Sequence, residues 1–190
     1  MLRGQTGGWL HDPNGGSLLR FMDRGTVTIW HDGLPKEVIP EIPPELTSRF
    51  NDAIADPRGR VFCGTMSTPE RKGRLYRVDP EGSCIFLLEE VGCSNGMASM
   101  LIAGVSITLI RSSMRFMSLI TISRSVTFKI KSCARFAETD GMPDGLTMGA
   151  NCDLWTALWG GSGIARLRPN GEVERRIGLH RDPDSPDQQT

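Results

Sequence analysis

Residues 56–82 read DPRGRVFCGTMSTPERKGRLYRVDPEG and give the clearest secondary-structure signal in the chain. This stretch holds two short runs rich in β-branched, aromatic and aliphatic residues, 60–65 and 73–78, each next to a turn signal. The turn signals are Asp-Pro-Arg-Gly at 56–59 and Asp-Pro-Glu-Gly at 79–82. Proline presets the backbone angle of such a turn, and glycine supplies the positive φ that closes it. The stretch therefore predicts two consecutive short strands.

The same order of strand, strand and turn recurs at residues 149–171. Strand-like runs lie at 154–158 and 163–167, and Arg-Pro-Asn-Gly follows at 168–171. Pro80 and Pro169 are 89 residues apart, which is about two repeats of the 40–50 residues typical of propeller blades. No long helical period interrupts the pattern. The sequence thus predicts an all-β protein, an incomplete β-propeller of about four blades.

Residues 97–133 depart from this pattern. They contain no acidic residue, proline or asparagine and a single glycine, together with eight serines and five basic residues. Four short strands without Gly, Asn, Asp or Pro lack the residues that hairpin turns favour. Two interpretations follow: a long basic loop or irregular β insertion, or a stretch translated out of frame. The nucleotide sequence of these codons would distinguish them.

Composition excludes several classes of partner. Lysine plus arginine and aspartate plus glutamate number 22 each, so no net charge points to nucleic acid or to a membrane surface. The five cysteines form no Cys-x-x-Cys pair, which favours a reducing compartment. The N-terminal residues lack the apolar core of a signal peptide, and the longest apolar-rich run is too short to span a bilayer. We expect a cytoplasmic protein.

Three polar motifs recur at blade spacing: Arg-Phe-Asn-Asp at 49–52, Ser-Asn-Gly at 94–96 and Pro-Asp-Gly at 143–145. Asn51 and Asn95 are 44 residues apart, and Asn95 and Asp144 are 49 apart. Residues that repeat once per blade near the inner strand converge on the propeller axis. Two amides and a carboxylate there would form an oxygen-donor site for Ca²⁺, Mg²⁺ or Mn²⁺, and Zn²⁺ is also compatible.

These motifs, with Gly-Thr-Met at 64–66 and Leu-Trp-x-Ala at 154–157, resemble the gluconolactonase/regucalcin family (senescence marker protein/luciferin-regenerating enzyme). The resemblance covers residues of about 7–96 and 134–178 and implies part of a six-bladed propeller with a divalent metal ion on its axis. It implies a sugar lactone as substrate and hydrolysis of that lactone. By the same resemblance Asn95 and Asp144 are metal ligands, Asp144 is also the catalytic base, and Arg49 and Asn51 bind the substrate.

The sequence also departs from that family. A further metal ligand would come from a glutamate in a Glu-x-Pro-x-Trp-type motif, and no such motif precedes Arg49. Glu37, Glu41 and Glu45 lie instead in a proline-rich stretch that reads as a loop. We expect residues 1–178 to form the partial propeller and 179–190 a polar, disordered tail. Two other functions are compatible with the sequence: a non-catalytic propeller remnant, and a calcium-binding protein without hydrolytic activity.

Overall fold

A computed structural model describes residues 6–11, 16–102, 105–112, 115–122, 125–128, 136–151, 153–168 and 172–179. Within these ranges the chain forms β-strands and two short 3₁₀ turns, and no α-helix, so the predicted all-β class is confirmed. None of the helical segments in the described ranges has the length and apolar character needed to cross a bilayer. The strands are β1 (Thr6–His11), β2 (Leu18–Met22), β3 (Val27–His31), β4 (Leu34–Ile39), β5 (Phe50–Ala55), β6 (Val61–Thr65), β7 (Gly73–Val78), β8 (Cys84–Gly92), β9 (Ser99–Ile102), β10 (Val105–Ser112), β11 (Arg115–Ile122), β12 (Ser125–Phe128), β13 (Met142–Met148), β14 (Leu154–Trp159), β15 (Gly163–Leu167) and β16 (Val173–Gly178).

These strands form four antiparallel sheets, each built from four strands that are consecutive in the chain. The first sheet is β1–β4, the second β5–β8, the third β9–β12 and the fourth β13–β16. Strand β1 of the first sheet contacts β5 of the second, and β9 of the third contacts β13 of the fourth. The opening strands of the first and second sheets, and those of the third and fourth, thus lie side by side, as in a propeller-like fold.

The second sheet shows why the opening stretch of sequence folds as predicted. The Asp56 carboxylate accepts the backbone N–H groups of Arg58 and Arg60, at 2.9 and 3.0 Å, and Gly59 closes the turn at φ +77°. Strand β6 then places successive side chains on opposite faces, and all five of its residues are buried. The predicted turn and strand are therefore both present.

The main core lies between the first and second sheets. Phe50 is fully buried there, with edge-to-face ring contacts to Phe21 and Tyr76 at centroid separations of 5.6 and 6.3 Å. The core residues are Phe21, Val27, Ile39, Phe50, Val61, Cys63, Tyr76 and Val78. A second cluster occupies the other face of the second sheet and consists of Phe62, Leu75, Val91 and Met97. Because Phe50 opens the strand that carries Asn51, this packing fixes the start of that strand.

The connection from the first to the second sheet is held by a buried carboxylate. Glu45, in the 3₁₀ turn Pro43–Glu45, is fully buried and accepts a hydrogen bond from the Tyr76 hydroxyl at 2.7 Å. Its second oxygen pairs with the Arg71 guanidinium. Burial, reinforced by the bond to Glu45, raises the pKa of Tyr76, so this hydroxyl remains a donor. The stretch predicted as a loop therefore contains a buried ionic anchor.

Three other sequence expectations concern residues 97–133, the polar tail and Glu37. The described part of residues 97–133 forms the four strands β9–β12, each antiparallel to the next. An out-of-frame origin of this segment stays a prediction for the nucleotide sequence. The polar tail is described only at Leu179, and its predicted disorder concerns residues 180–190, which lie outside the described ranges. Glu37, expected in a loop, lies in β4.

Candidate functional site

Asn51 occupies the second position of β5, and its side chain contacts the turn that connects the second sheet to the third. Its side-chain amide donates to the backbone carbonyl of Ser94 at 2.7 Å and lies 3.6 Å from the Cys93 sulfur. Asn51 is half-buried. Its amide nitrogen is thus used to hold the turn that carries Asn95, and its carbonyl oxygen is the group left to accept other hydrogen bonds.

Ser94 determines how closely the turn at residues 94–97 approaches the second sheet. The side chain is fully buried and packs directly on the backbone of Gly64 in β6. A Cβ atom on Gly64 would lie 2.0 Å from the Ser94 Oγ atom and 2.2 Å from its Cβ atom. Gly64 is therefore required by close approach between the second sheet and the turn, as expected when glycine interrupts a strand.

Asn95 and Asp144 meet at the centre of the candidate site. The Asn95 side-chain amide donates to a carboxylate oxygen of Asp144, and both residues are half-buried. Asp144 lies in β13, where a register shift between Pro143 and Leu146 marks a β-bulge. Bulges re-aim side chains at such positions. Three residues predicted from sequence spacing, Asn51, Asn95 and Asp144, are therefore brought together through direct contacts and the Ser94 carbonyl.

Gly96 lets the turn and the bulge come this close. It has φ +67°, and a Cβ atom there would lie 2.2 Å from the Asp144 carbonyl oxygen. Gly145 differs, because its φ is not positive and a Cβ atom would meet nothing within 4 Å. Of the two glycines in the Asn-Gly and Asp-Gly motifs, Gly96 is the one that the site geometry requires.

Asp52 belongs to the same cluster, although sequence reasoning did not single it out. One carboxylate oxygen accepts the Met97 N–H at 2.9 Å, and the other accepts the Ala53 N–H at 2.8 Å. Burial raises the pKa of the Asp52 carboxyl, the Asp144 charge raises it further, and the backbone N–H groups oppose both. The only signal in the sequence was its place beside Asn51.

Arg49 lies at the edge of this cluster. Its guanidinium donates to the Phe50 carbonyl at 3.0 Å, and its own carbonyl accepts the Met66 N–H at 2.9 Å. The hydrogen bond described for its side chain is thus with the second sheet's own backbone and not with Asn95 or Asp144, and the guanidinium also lies beside Gly7 of β1. The structure thus brings Asn51, Asn95 and Asp144 together, whereas the Arg49 guanidinium is bonded to the backbone of β5.

The chemistry of these donors decides which ions fit. In the described part of the chain, no three His, Cys, Asp or Glu side chains lie close enough to hold a metal ion. Asn95 and Asp144 offer oxygen donors, since rotation of the Asn95 amide exchanges its nitrogen for its oxygen. Two protein ligands of this kind suit a hard divalent ion that keeps several waters, as Mg²⁺ does. The residues therefore fit such an ion.

The glutamates that precede Arg49 do not complete this set. Glu37 is exposed on β4, and Glu41 forms an ion pair with Arg24. Glu45 is buried against Tyr76 and Arg71. Two surface cavities, of about 460 and 450 Å³, also lie elsewhere, since neither is lined by Asn51, Asn95 or Asp144.

Comparison with known proteins gives one matching family profile and several curated relatives. A family profile described as SMP-30/Gluconolactonase/LRE-like region matches residues 6–183. Pentonolactonase XacC of Haloferax volcanii is 36% identical over 167 residues, covering 82% of this chain and 53% of the relative. Chicken (Gallus gallus) regucalcin is 30% identical over 148 residues, covering 68% of this chain and 46% of the relative. The chain thus spans about half the length of these curated relatives.

Solved structures give the same fold. A luciferin-regenerating enzyme superposes with a TM-score of 0.80 at 18% identity, covering 94% of this chain and 64% of that one. Regucalcin of Agrobacterium tumefaciens, described as a calcium-binding protein, gives 0.77 at 18%, covering 94% and 61%. A gluconolactonase of Xanthomonas campestris gives 0.73 at 18%, covering 92% and 62%.

Proposed function

The chain belongs to the SMP-30/gluconolactonase/LRE-like family, and from that premise we propose that it hydrolyses a sugar lactone with a bound divalent metal ion. We propose further that its four sheets are four blades of a six-bladed propeller. The observation that carries the proposal is the contact between Asn95, in the turn between the second and third sheets, and Asp144, in the fourth sheet, which meet beside Asn51.

Each residue has a role that its chemistry supports. Asn95 and Asp144 would hold the ion through their side-chain oxygens. When bound, a divalent ion supplies Lewis-acid polarisation of a carbonyl group. Asp144 would accept a proton from the water that attacks the lactone, as a positioned general base does. The Asn51 side-chain nitrogen already donates to the Ser94 carbonyl. Its side-chain oxygen would accept a hydrogen bond from a substrate hydroxyl and so orient the substrate.

Arg49 would contribute hydrogen-bond donors to the lactone's oxygens. A guanidinium carries five N–H groups, and its described bond to the Phe50 carbonyl uses one of them. Its backbone is fixed by the Met66 N–H, so the side chain has a defined origin beside β5. The similarity to proteins named pentonolactonase and gluconolactonase favours a lactone of a five- or six-carbon sugar acid.

A second candidate function is calcium binding without hydrolysis. It is favoured by the similarity to proteins named regucalcin. Glu41 and Glu45 are engaged in other ion pairs and add no carboxylate to the site, and a site with fewer carboxylate ligands binds a hard dication more weakly. Metal binding without turnover would identify this alternative.

Removing the metal tests the proposal. We expect chelation with EDTA to reduce hydrolysis of glucono- and pentonolactones to the spontaneous rate, because polarisation of the carbonyl is then lost. Adding back Ca²⁺, Mg²⁺, Mn²⁺ or Zn²⁺ should restore it. The measurement is proton release in weakly buffered solution against a protein-free blank. Turnover that chelation leaves unchanged would contradict metal dependence, and metal binding with no turnover would leave the calcium-binding alternative.

A further inference from the structure

We propose that Asp52 is a positioning residue that holds the turn at residues 94–97, so that Asn95 lies beside Asp144. The inference rests on the proposed function in one respect, since it is this function that makes Asn95 a metal ligand. The placement itself stands on contacts of the carboxylate with backbone that lies 45 residues further along the chain.

The Asp52 carboxylate joins the second sheet to the entry of the third. One oxygen accepts the Met97 N–H at 2.9 Å and the other the Ala53 N–H at 2.8 Å. The backbone N–H of Gly96 also opposes the rise in the pKa of the Asp52 carboxyl. Hydrogen bonds from N–H groups to a charged acceptor are stronger than those between neutral groups. The C-terminal side of the turn is therefore fixed by Asp52.

Asn51 fixes the other side of the same turn through its bond to the Ser94 carbonyl. Neighbouring residues in a regular strand point to opposite faces. Here a register shift between Phe50 and Asp52 breaks that regularity, and such a bulge allows both side chains to reach one turn. Asn95 is thus held between two consecutive residues of β5.

Charge gives Asp52 a second effect on the site. Its carboxylate lies close enough to Asp144 for their charges to interact. Asn95 contributes a neutral donor, so Asp144 alone carries negative charge in the proposed ligand pair. A second carboxylate nearby favours a divalent cation over an empty site without having to coordinate it.

Replacement by asparagine separates this role from general stability. Asp52→Asn keeps the size of the side chain but removes the charge and one acceptor. We expect amide hydrogen exchange at Gly96 and Met97 to become at least about tenfold faster. We also expect Mn²⁺ to bind about 10–100-fold more weakly in calorimetric titration, the usual cost of losing an outer-shell partner.

Asp56→Asn is the matched control. Asp56 is a buried carboxylate just beyond the opposite end of β5, paired with Arg60 and bonded to turn N–H groups. Its loss should lower the thermal midpoint and change neither exchange at 96–97 nor Mn²⁺ affinity. Should Asp52→Asn fail to fold, Asp52→Ser replaces it, since serine keeps a small acceptor.

Four outcomes decide the inference. Unchanged exchange at 96–97 in the Asp52 variant would overturn it, and so would losses no different from those of Asp56→Asn. Faster exchange together with weaker Mn²⁺ binding supports it. If the wild-type protein binds no Mn²⁺ and hydrolyses no lactone, faster exchange in Asp52→Asn still supports the hold on the turn, and the proposed function alone fails.

Discussion

Replacing Gly96 with alanine is expected to lower the proposed lactone hydrolysis by at least roughly 100-fold and to weaken the proposed metal binding with it. The new Cβ atom would lie 2.2 Å from the Asp144 carbonyl oxygen and 3.1 Å from the Leu146 Cβ atom. A backbone oxygen cannot rotate aside as a side chain can. The positive φ of +67° adds about 1–2 kcal/mol for any residue with a Cβ atom. The turn at residues 94–97 and the bulge in β13 must therefore move apart, and this moves Asn95 away from Asp144.

Such a displacement of Asn95 from Asp144 is large for catalysis. A misplacement of about 1 Å is enough to cost roughly 100-fold in rate, so we expect at least that loss in kcat/KM for Gly96→Ala. Gly145→Ala is the control, because its Cβ atom would meet nothing within 4 Å. It should retain Mn²⁺ affinity and rate close to wild type. Similar losses in both variants would mean that the Gly96 contact is not what holds the site.

The second large effect is expected for Asp144→Asn. Asparagine preserves the shape of the side chain but cannot accept a proton from water at neutral pH. Loss of a general base typically lowers rates by about 10²–10⁴-fold, and we expect kcat to fall by that amount. Initial rates at saturating lactone and metal measure it. Weaker metal binding should accompany the loss, because a carboxylate ligand is replaced by a neutral one.

Asp153→Asn controls for removal of a carboxylate from the same sheet. Asp153 is buried immediately before β14 and paired with Arg166. Its replacement should lower the thermal midpoint and leave the rate of lactone hydrolysis unchanged. Wild-type kcat in Asp144→Asn would remove Asp144 from the role of catalytic base.

Local signals in the sequence account for the parts of the fold that were predicted. The Asp-Pro-x-Gly turns form as expected, with Gly59 at φ +77° and Gly82 at φ +89°. The strand runs predicted at 60–65, 73–78, 154–158 and 163–167 correspond to β6, β7, β14 and β15. Turn chemistry and alternation act within a few residues, so they can be recognised without knowing the rest of the molecule.

Contacts between distant parts of the chain could not be predicted in this way. Asp52 bonds to backbone at Met97, and an aspartate within a strand gives no local sign of that partner. Gly64 is needed because Ser94 packs against it. Glu45 can be buried because its carboxylate accepts a hydrogen bond from Tyr76 and pairs with Arg71. Its proline-rich surroundings in the sequence indicate an exposed loop instead.

Spacing was the one long-range signal that the sequence carried. Asn51, Asn95 and Asp144 recur at blade intervals, and the structure brings them together because each lies near the opening strand of a sheet. Arg49 shares the spacing of Asn51, yet its guanidinium bonds to the Phe50 carbonyl. Spacing thus locates a residue on the fold but does not determine which way its side chain points.

A crystal of the protein soaked in Mn²⁺ and measured for anomalous scattering tests the central claim most directly. We expect an anomalous peak in contact with the Asn95 side-chain oxygen and an Asp144 carboxylate oxygen, with Asn51 beside it. A saturating soak that leaves this position empty, or places the ion away from both residues, would contradict it.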